Sequence, residues 1–497
     1  MLRTLAAEAA RRFGQRIAFA AVGEPPQPTG QGGPAQAGPA GGGPSAAGSH
    51  SAGGPAGEVP PTQARPAAGP AAGQAESWRL SFADLDRLSD EVAAGLAFRG
   101  VLPGDVVAIV LPTVPEFPIC YLAGVKLGAT VAGLDPRWPA ARLDRLVELL
   151  RPAVTVAPAG LAAGPGPDGE MARVTLSRDG RTVLAGLRRA EPPPPPLPPD
   201  LTRPVMISFS SVAGQNARGA VFGVRQLEAI RAAEAGDRWG SSLGWVVLTA
   251  IPCAHYSFMT RLPALLQSGQ TSVLMTSWRA ARVPQLARAV RANQVTGLPA
   301  QLAELLAQPP GEPPAARPAR TGLPSEPPGE PPGQQEAGGF AGAPPPGEPP
   351  GLADGGQPQP GLPPIELIVA GDATLPPGLP VALRNRFSTD VHVRYGCAEA
   401  GLGLSTCPDD PPDEAAGCIG YPAPGVTVVL RDAGGTEVTA GQTGEILLRS
   451  AACMNGYWHD QAASAAAFTS DRFVRTGDSG HLDERGRVIL VGRVARQ

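Results

Sequence analysis

Four short stretches hold residue types that chemistry can use. SFSSVAGQNARGAV, Ser208 to Val221, follows the strand-like VMISF and is rich in Gly and Ser. A loop of small residues lets backbone N–H groups approach phosphate oxygens. It is not a Walker A loop, because Ala220 and Val221 follow Gly214-x4-Gly219 where Lys and Ser or Thr are required. Taken alone, the same composition suits an ordinary turn. RYGCAEAGLG places Glu399 after an aromatic and small residues at a predicted strand end. A carboxylate there suits Mg²⁺ through oxygen ligation, and equally the first turn of a helix. His255, in PCAHYSF, stands between a buried strand and a helix. It reads either as a substrate-facing imidazole or as a satisfied core or loop histidine. TGDSG at 476–480 contains the GDSG of a serine-protease nucleophile segment, but His481 and Leu482 follow where a further Gly is needed. Four letters cannot supply triad geometry.

The elements that must position these groups alternate between strand and helix. DVVAIVLP is a buried-strand run, EFPICYLAGVKLGA has helical spacing, ATVAGLDP is a strand, ARLDRLVELLR an amphipathic helix and AVTVAP a strand. The stretch 242–307 repeats the style with LGWVVLTAIP, a helix through FMTRLPALLQSG, the strand TSVLM and a helix through VPQLARAVRANQ. Such alternation predicts parallel βαβ units and an α/β fold. From about 417 onward VTVVLRD, GEILLRS and RVILVGR, separated by turns, predict a smaller antiparallel β unit.

Composition fixes what interrupts this pattern. The 64 glycines and 60 prolines make up about a quarter of the 497 residues and concentrate at 24–77 and 309–364. These segments cannot bury enough apolar surface to offset their ordering entropy and are expected to be disordered insertions. PPGEPP recurs at 309–314, 327–332 and 345–350, but the rest of each unit lacks an apolar face that stacking would bury. EPPPPPLPPD at 191–200 is expected to be polyproline II, either a stiff connector or a ligand for a proline-binding domain.

With a net charge of −3 and no long cationic block, neither polyanion binding nor an electrostatic membrane anchor is indicated. Almost every basic residue is Arg, Lys126 being the one lysine, as a composition bias would produce. The six cysteines are far apart with no CxxC pair, against a disulfide scaffold or a zinc site. No run of eighteen apolar residues is present. The opening MLRTLAAEAARRFGQRIAFAAV suits a transit peptide, or an amphipathic helix followed by a strand; a cytoplasmic location is the default.

The order of the motifs carries more than any one of them. SFADLDRLSDEVAAGLAFRGVLPGD leads through IVLP, PEFP and GLDP to the Gly/Ser loop, PCAHYSF, VTGLPAQL, IVAGDATLPP, RYGCAEAG, GCIGYPAPGV, GEILLRS, MNGYWHD, RTGDSGHLDERG and VGR. This series resembles the adenylate-forming (AMP-binding) superfamily of acyl-CoA synthetases and aryl-CoA ligases across almost everything outside the insertions. The fold implied is the large N-terminal domain of those enzymes. It comprises an α/β subdomain over 1–190, a connector at 191–200, a second α/β subdomain over 201–416 carrying the ATP loop, and a β subdomain over 417–497.

The activity implied is acid activation with ATP and Mg²⁺ to an acyl-adenylate, followed by transfer to a thiol such as coenzyme A. By motif, Tyr395 would stack on adenine, with Gly371, Asp372, Ala373 and Gly396 around the base. Asp478 would accept the ribose hydroxyls and Arg493 would sit near the ribose and α-phosphate. Ser210, Ser211, Gly214 and Gly219 would meet the phosphates. Glu399 would hold Mg²⁺, Arg218 and His255 would act beside it, and His255 and Phe258 would border the acyl pocket. Phe258 stands where many relatives have Gly, and would narrow a tunnel.

Three departures from the pattern matter. The family loop reads S-G-T-T-G-x-P-K-G, whereas here Ser210-Ser211-Val212-Ala213-Gly214 loses two threonines and Arg218 stands near the Lys position. Each lost charge-assisted bond costs roughly 1.5–3 kcal/mol. Ala398 replaces the Thr before Glu399. The chain stops at Gln497, where the family's smaller C-terminal domain, with its catalytic Lys, would begin. Two expectations therefore stand side by side. One is a ligase core completed by a separate C-terminal polypeptide; the other is a pseudoenzyme that retains nucleotide or acyl binding without turnover.

Overall fold

The computed structural model describes residues 2–22, 78–159, 161, 170–174, 176, 183–193, 195, 197–209, 218–308, 366–371, 375–376, 378–406 and 417–494. The expected insertions at 24–77 and 309–364 lie outside the described residues, as do Ser210, Ser211, Gly214, Asp372 and Ala373.

Buried β-branched runs build two hydrogen-bonded sheets. One has seven strands in the order Gly456–Tyr457, Gly219–Gly223, Pro204–Phe209, Thr130–Gly133, Val106–Ile109, Val154–Pro158 and Glu170–Val174. Its last five strands run parallel, and Val106–Ile109 and Thr130–Gly133 are buried along their whole length, as strands covered on both faces must be. The intervening helix Glu116–Leu127 is buried almost all round. It ends at Gly128, whose φ of 77° is the left-handed cap that glycine adopts without strain.

The other sheet has thirteen strands. Asp390–Tyr395, Glu366–Gly371, Gln294–Gly297, Val246–Thr249, Thr271–Met275 and Ile17–Val22 lie side by side and parallel. Beyond Asp390–Tyr395 the pairing turns antiparallel through Leu404–Ser405, Cys418–Pro422, Val488–Arg493, Val474–Leu482, Gly444–Arg449 and Thr427–Arg431. The α/β class and the antiparallel C-terminal unit are as the patterning predicts.

Ile17–Val22 is an outer strand of the large sheet, with a near and a distant partner in sequence. It pairs with Thr271–Met275, some 250 residues on, and with Arg79–Ser81. The opening helix Leu2–Phe13 anchors it by packing Phe13 against Phe82 and Trp239, with ring centroids 5.0 and 6.1 Å apart. The predicted helix through FMTRLPALLQSG is two helices, Tyr256–Met259 and Leu262–Ser268. Pro263 has no N–H for the Met259 carbonyl, so the first helix cannot run on through it. Residues 191–193, 195 and 197–200 form neither helix nor strand. Lys126 is buried, its ammonium held by Asp86 and Asp90 at 2.7 and 2.9 Å. No described helix is long and apolar enough to cross a membrane.

Candidate active site

Parallel strands leave a crevice beyond their carboxyl ends. There Gly371 and Tyr395 are direct partners at the ends of neighbouring strands. Gly403 packs flat behind Tyr395: a Cβ on it would lie 2.2 Å from the Tyr395 carbonyl oxygen. Tyr395 is buried and donates its phenolic hydrogen to Asp478 Oδ2 at 2.6 Å. Burial, and then the Asp478 charge beside it, push the Tyr395 hydroxyl well above its usual range. Asp478 is fully buried in the strand Val474–Leu482, and its other oxygen accepts from Arg493 Nε at 3.0 Å. The two residues are register partners across adjacent strands, which fixes the pair by backbone geometry. The Arg493 side chain is 48% exposed, so it forms the solvent side of the pair. Thr476 holds the Asp478 backbone, its hydroxyl donating to the Ile446 carbonyl at 2.7 Å and accepting from the Asp478 N–H at 3.1 Å.

Glu399 follows Tyr395 by one turn. Its Oε1 accepts from the Tyr457 hydroxyl at 2.7 Å and its carbonyl from the Met454 N–H at 2.9 Å. Burial and the Glu399 carboxylate raise the Tyr457 hydroxyl far above its usual range. The segment MNGYWHD stitches this turn to the strand that leaves the Gly/Ser loop. Tyr457 pairs with Ala220, and the Trp458 N–H donates to the Gly219 carbonyl at 2.8 Å. A Cβ at Gly219 would come within 2.6 Å of Ile207. Arg218, just before it, lies 3.3 Å from Asp460 and over the Tyr457 ring at 5.6 Å. Arg218, Gly219, Tyr457 and Glu399 are therefore brought together. Ala398 is buried and offers no hydroxyl. Among the described residues no three His, Cys, Asp or Glu side chains converge as a metal cage. A single carboxylate, completed by phosphate oxygens and water, is the sparse donor set that Mg²⁺ tolerates.

His255 caps the helix Tyr256–Met259: the Ser257 N–H donates to Nδ1 at 3.3 Å, and Ser257 Oγ lies 2.7 Å from the same nitrogen. Its ring packs on Tyr256 with centroids 4.7 Å apart. A Cβ at Gly396 would lie 3.3 Å from the Tyr256 hydroxyl, so this helix abuts the Tyr395 turn. Phe258 is buried against Phe19 and Phe117, with centroids 6.1 and 6.4 Å away, and also borders a cavity of about 290 Å³. The GDSG serine, Ser479, is paired with Gly492 inside an antiparallel ladder and is not on a nucleophile turn.

Sequence reasoning passed over Tyr457, Asp460 and Thr476. Tyr457 and Asp460 lay within the quoted MNGYWHD and Thr476 within TGDSG, but nothing in either string says which partner each would meet.

A family model described as AMP-binding enzyme matches residues 62–458. The chain is similar to the probable CoA ligase CCL8 of Humulus lupulus, 32% identical over 135 residues, which cover 26% of this chain and 21% of that protein. It is 25% identical over 433 residues to 4-coumarate–CoA ligase 5 of Oryza sativa subsp. japonica, covering 84% of this chain and 71% of the relative. Among solved structures, the N-terminal domain of FACL13 from Mycobacterium tuberculosis superposes with a TM-score of 0.67 at 17% identity, covering 99% of both chains. At that identity the likeness is one of fold.

Proposed function

The chain belongs to the AMP-binding enzyme family, and from that premise we propose that it activates a carboxylic acid with ATP and passes the acyl group to a thiol, as acyl-CoA ligases do. The observation that carries this reading is the buried carboxylate Asp478, held between Tyr395 and Arg493 beside the Glu399 turn. A carboxylate hydrogen-bonded to a guanidinium is a strong acceptor for two neighbouring hydroxyls, which a ribose supplies. Tyr395, which borders a cavity together with Gly396, would take the base, and Gly371 and Gly396 would leave room for it. Glu399 would hold Mg²⁺, which when bound neutralises phosphate charge. Arg218 and the N–H groups of the Gly/Ser loop would orient the phosphates, and His255 would border the acid.

In the first half-reaction a carboxylate oxygen of the acid forms a bond to the α-phosphorus, and the bond to pyrophosphate breaks. In the second the thiolate of coenzyme A attacks the acyl carbon, and AMP leaves with the electron pair. The chain's part is positioning and charge stabilisation.

Calorimetric titration of ATP with Mg²⁺ tests the nucleotide site, with Asp478→Ala as control. Binding abolished by the substitution supports the reading, and no binding to folded protein overturns it. Ala398 favours a second reading, in which nucleotide binds without turnover: a buried alanine cannot donate to a phosphate. Acid-dependent exchange of pyrophosphate into ATP separates the two, since only the enzyme supports it.

A further inference from the structure

The carboxylate that would meet the metal is not placed by its own turn alone. Glu399 accepts from the Tyr457 hydroxyl at 2.7 Å. Tyr457 belongs to a strand of two residues, Gly456–Tyr457, paired antiparallel with Val221 and Ala220. Two residues fall below the usual strand length and make few ladder bonds, so the place of Tyr457 depends on what grips the segment at either end. On the Tyr457 side, Ser464 Oγ accepts from the Tyr457 N–H at 2.7 Å. At the other end the Asn455 N–H donates to the Val221 carbonyl at 2.8 Å, and Asn455 Oδ1 accepts from Gln226 Nε2 at 2.7 Å.

Gln226 is buried in the first turn of the helix Val224–Ala235, three residues past the cap Gly223. Its Oε1 accepts from the Gly223 N–H at 3.1 Å, the half of a capping box that a glutamine at this position supplies. A backbone donor takes that oxygen, so the amide nitrogen faces Asn455 and Asn455 must present its oxygen in return. A Cβ on Gly223 would lie 3.1 Å from Gln226 Oε1 and 3.2 Å from Asn455 Nδ2, so both side chains close directly over this glycine. Capping needs only the oxygen. The nitrogen reaches across 229 residues of sequence to the segment that carries Tyr457.

We propose that Gln226 is a positioning residue for Glu399: through Asn455 it seats the Gly456–Tyr457 strand, and the Tyr457 hydroxyl in turn aims the carboxylate. The inference rests on the reading above in which Glu399 meets Mg²⁺, and it adds a residue that touches neither metal nor nucleotide. Losing the contact frees the partner of Glu399 to move but leaves Asp478, in the other sheet, held by Tyr395 and Arg493. The cost therefore falls on Mg²⁺ capture and not on the nucleotide contacts of Asp478.

The test is calorimetric titration of ATP into the full chain at a series of Mg²⁺ concentrations, with Tyr457→Phe alongside. Gln226→Leu and Asn455→Ala should each raise the Mg²⁺ concentration for half-maximal ATP binding about threefold or more, with affinity at saturating Mg²⁺ within about twofold of wild type. The double variant should shift no further than the larger single one, since both remove the same contact. Tyr457→Phe separates two kinds of failure. If it shifts the Mg²⁺ demand and neither Gln226→Leu nor Asn455→Ala does, this inference is overturned while the reading of Glu399 stands. If wild type binds no ATP, or Tyr457→Phe leaves the Mg²⁺ demand unchanged, that reading fails and the inference with it. Additive shifts, or an equal loss of affinity at every Mg²⁺ concentration, would mean a merely structural role and also overturn it. Asn455 is exposed, so its variant decides the matter even where Gln226→Leu does not fold.

Discussion

The hydroxyl of Tyr395 and the carboxylate of Asp478, 83 residues apart in sequence, meet at 2.6 Å in the interior of the protein. The contact ties the last parallel strand of the large sheet to its antiparallel extension. It also sets Asp478 behind two groups, one rigid and buried, the other half exposed.

Asp478→Ala removes the acceptor for both. ATP affinity should fall about a hundredfold, the loss of two charge-assisted bonds at the lower end of their range, read by calorimetry. The same variant leaves the Tyr395 hydroxyl buried without an acceptor, and should lose about 1–3 kcal/mol of stability in denaturant unfolding.

The raised Tyr395 hydroxyl predicts alkaline behaviour with a definite sign. Above about pH 10 the unfolded chain releases the phenolic proton while the folded chain retains it, so the native state binds more protons and stability falls as pH rises. The contribution is fully present below pH 10. Tyr395→Phe should remove about 1.4 kcal/mol per pH unit from the slope above that point, measured by urea unfolding at a series of pH values.

Tyr457 holds Glu399 by one hydroxyl. Tyr457→Phe should cost about 0.5–1.5 kcal/mol in stability, and should also change the Mg²⁺ concentration at which ATP binding is half-maximal. A melting shift with an unchanged Mg²⁺ dependence would mean that Glu399 does not face the metal.

Lys126, the one lysine, is enclosed and engages Asp86 through both its carboxylate and its backbone carbonyl. A guanidinium is wider than the space an ammonium fills. Lys126→Arg should therefore destabilise by about 1–3 kcal/mol despite keeping the charge, measured by thermal melting of both proteins.

The sequence by itself determined the classes of element and most of their order. Apolar runs such as VVAI and TVAG have to be strands covered on both faces, and LDRLVELL has to be an amphipathic helix, because period and burial are local properties. It also yielded the family, because a dozen short motifs in fixed order identify it where no single motif does. Which side chains meet was not local. Ile17–Val22 runs beside Thr271–Met275 because a parallel strand pairs wherever its crossover returns, and no feature of IAFAAV names that partner. Tyr457 beside Glu399 depends on a two-residue strand that docks on the edge of the other sheet. The cavity of about 330 Å³ that Arg394 and Tyr395 border also takes lining from Ser241, Ser257 and Gly403, which lie far from them in sequence or on other elements. Tertiary packing alone decided that Arg394, next to an expected nucleotide contact, sits among Arg261, Glu234 and Glu366.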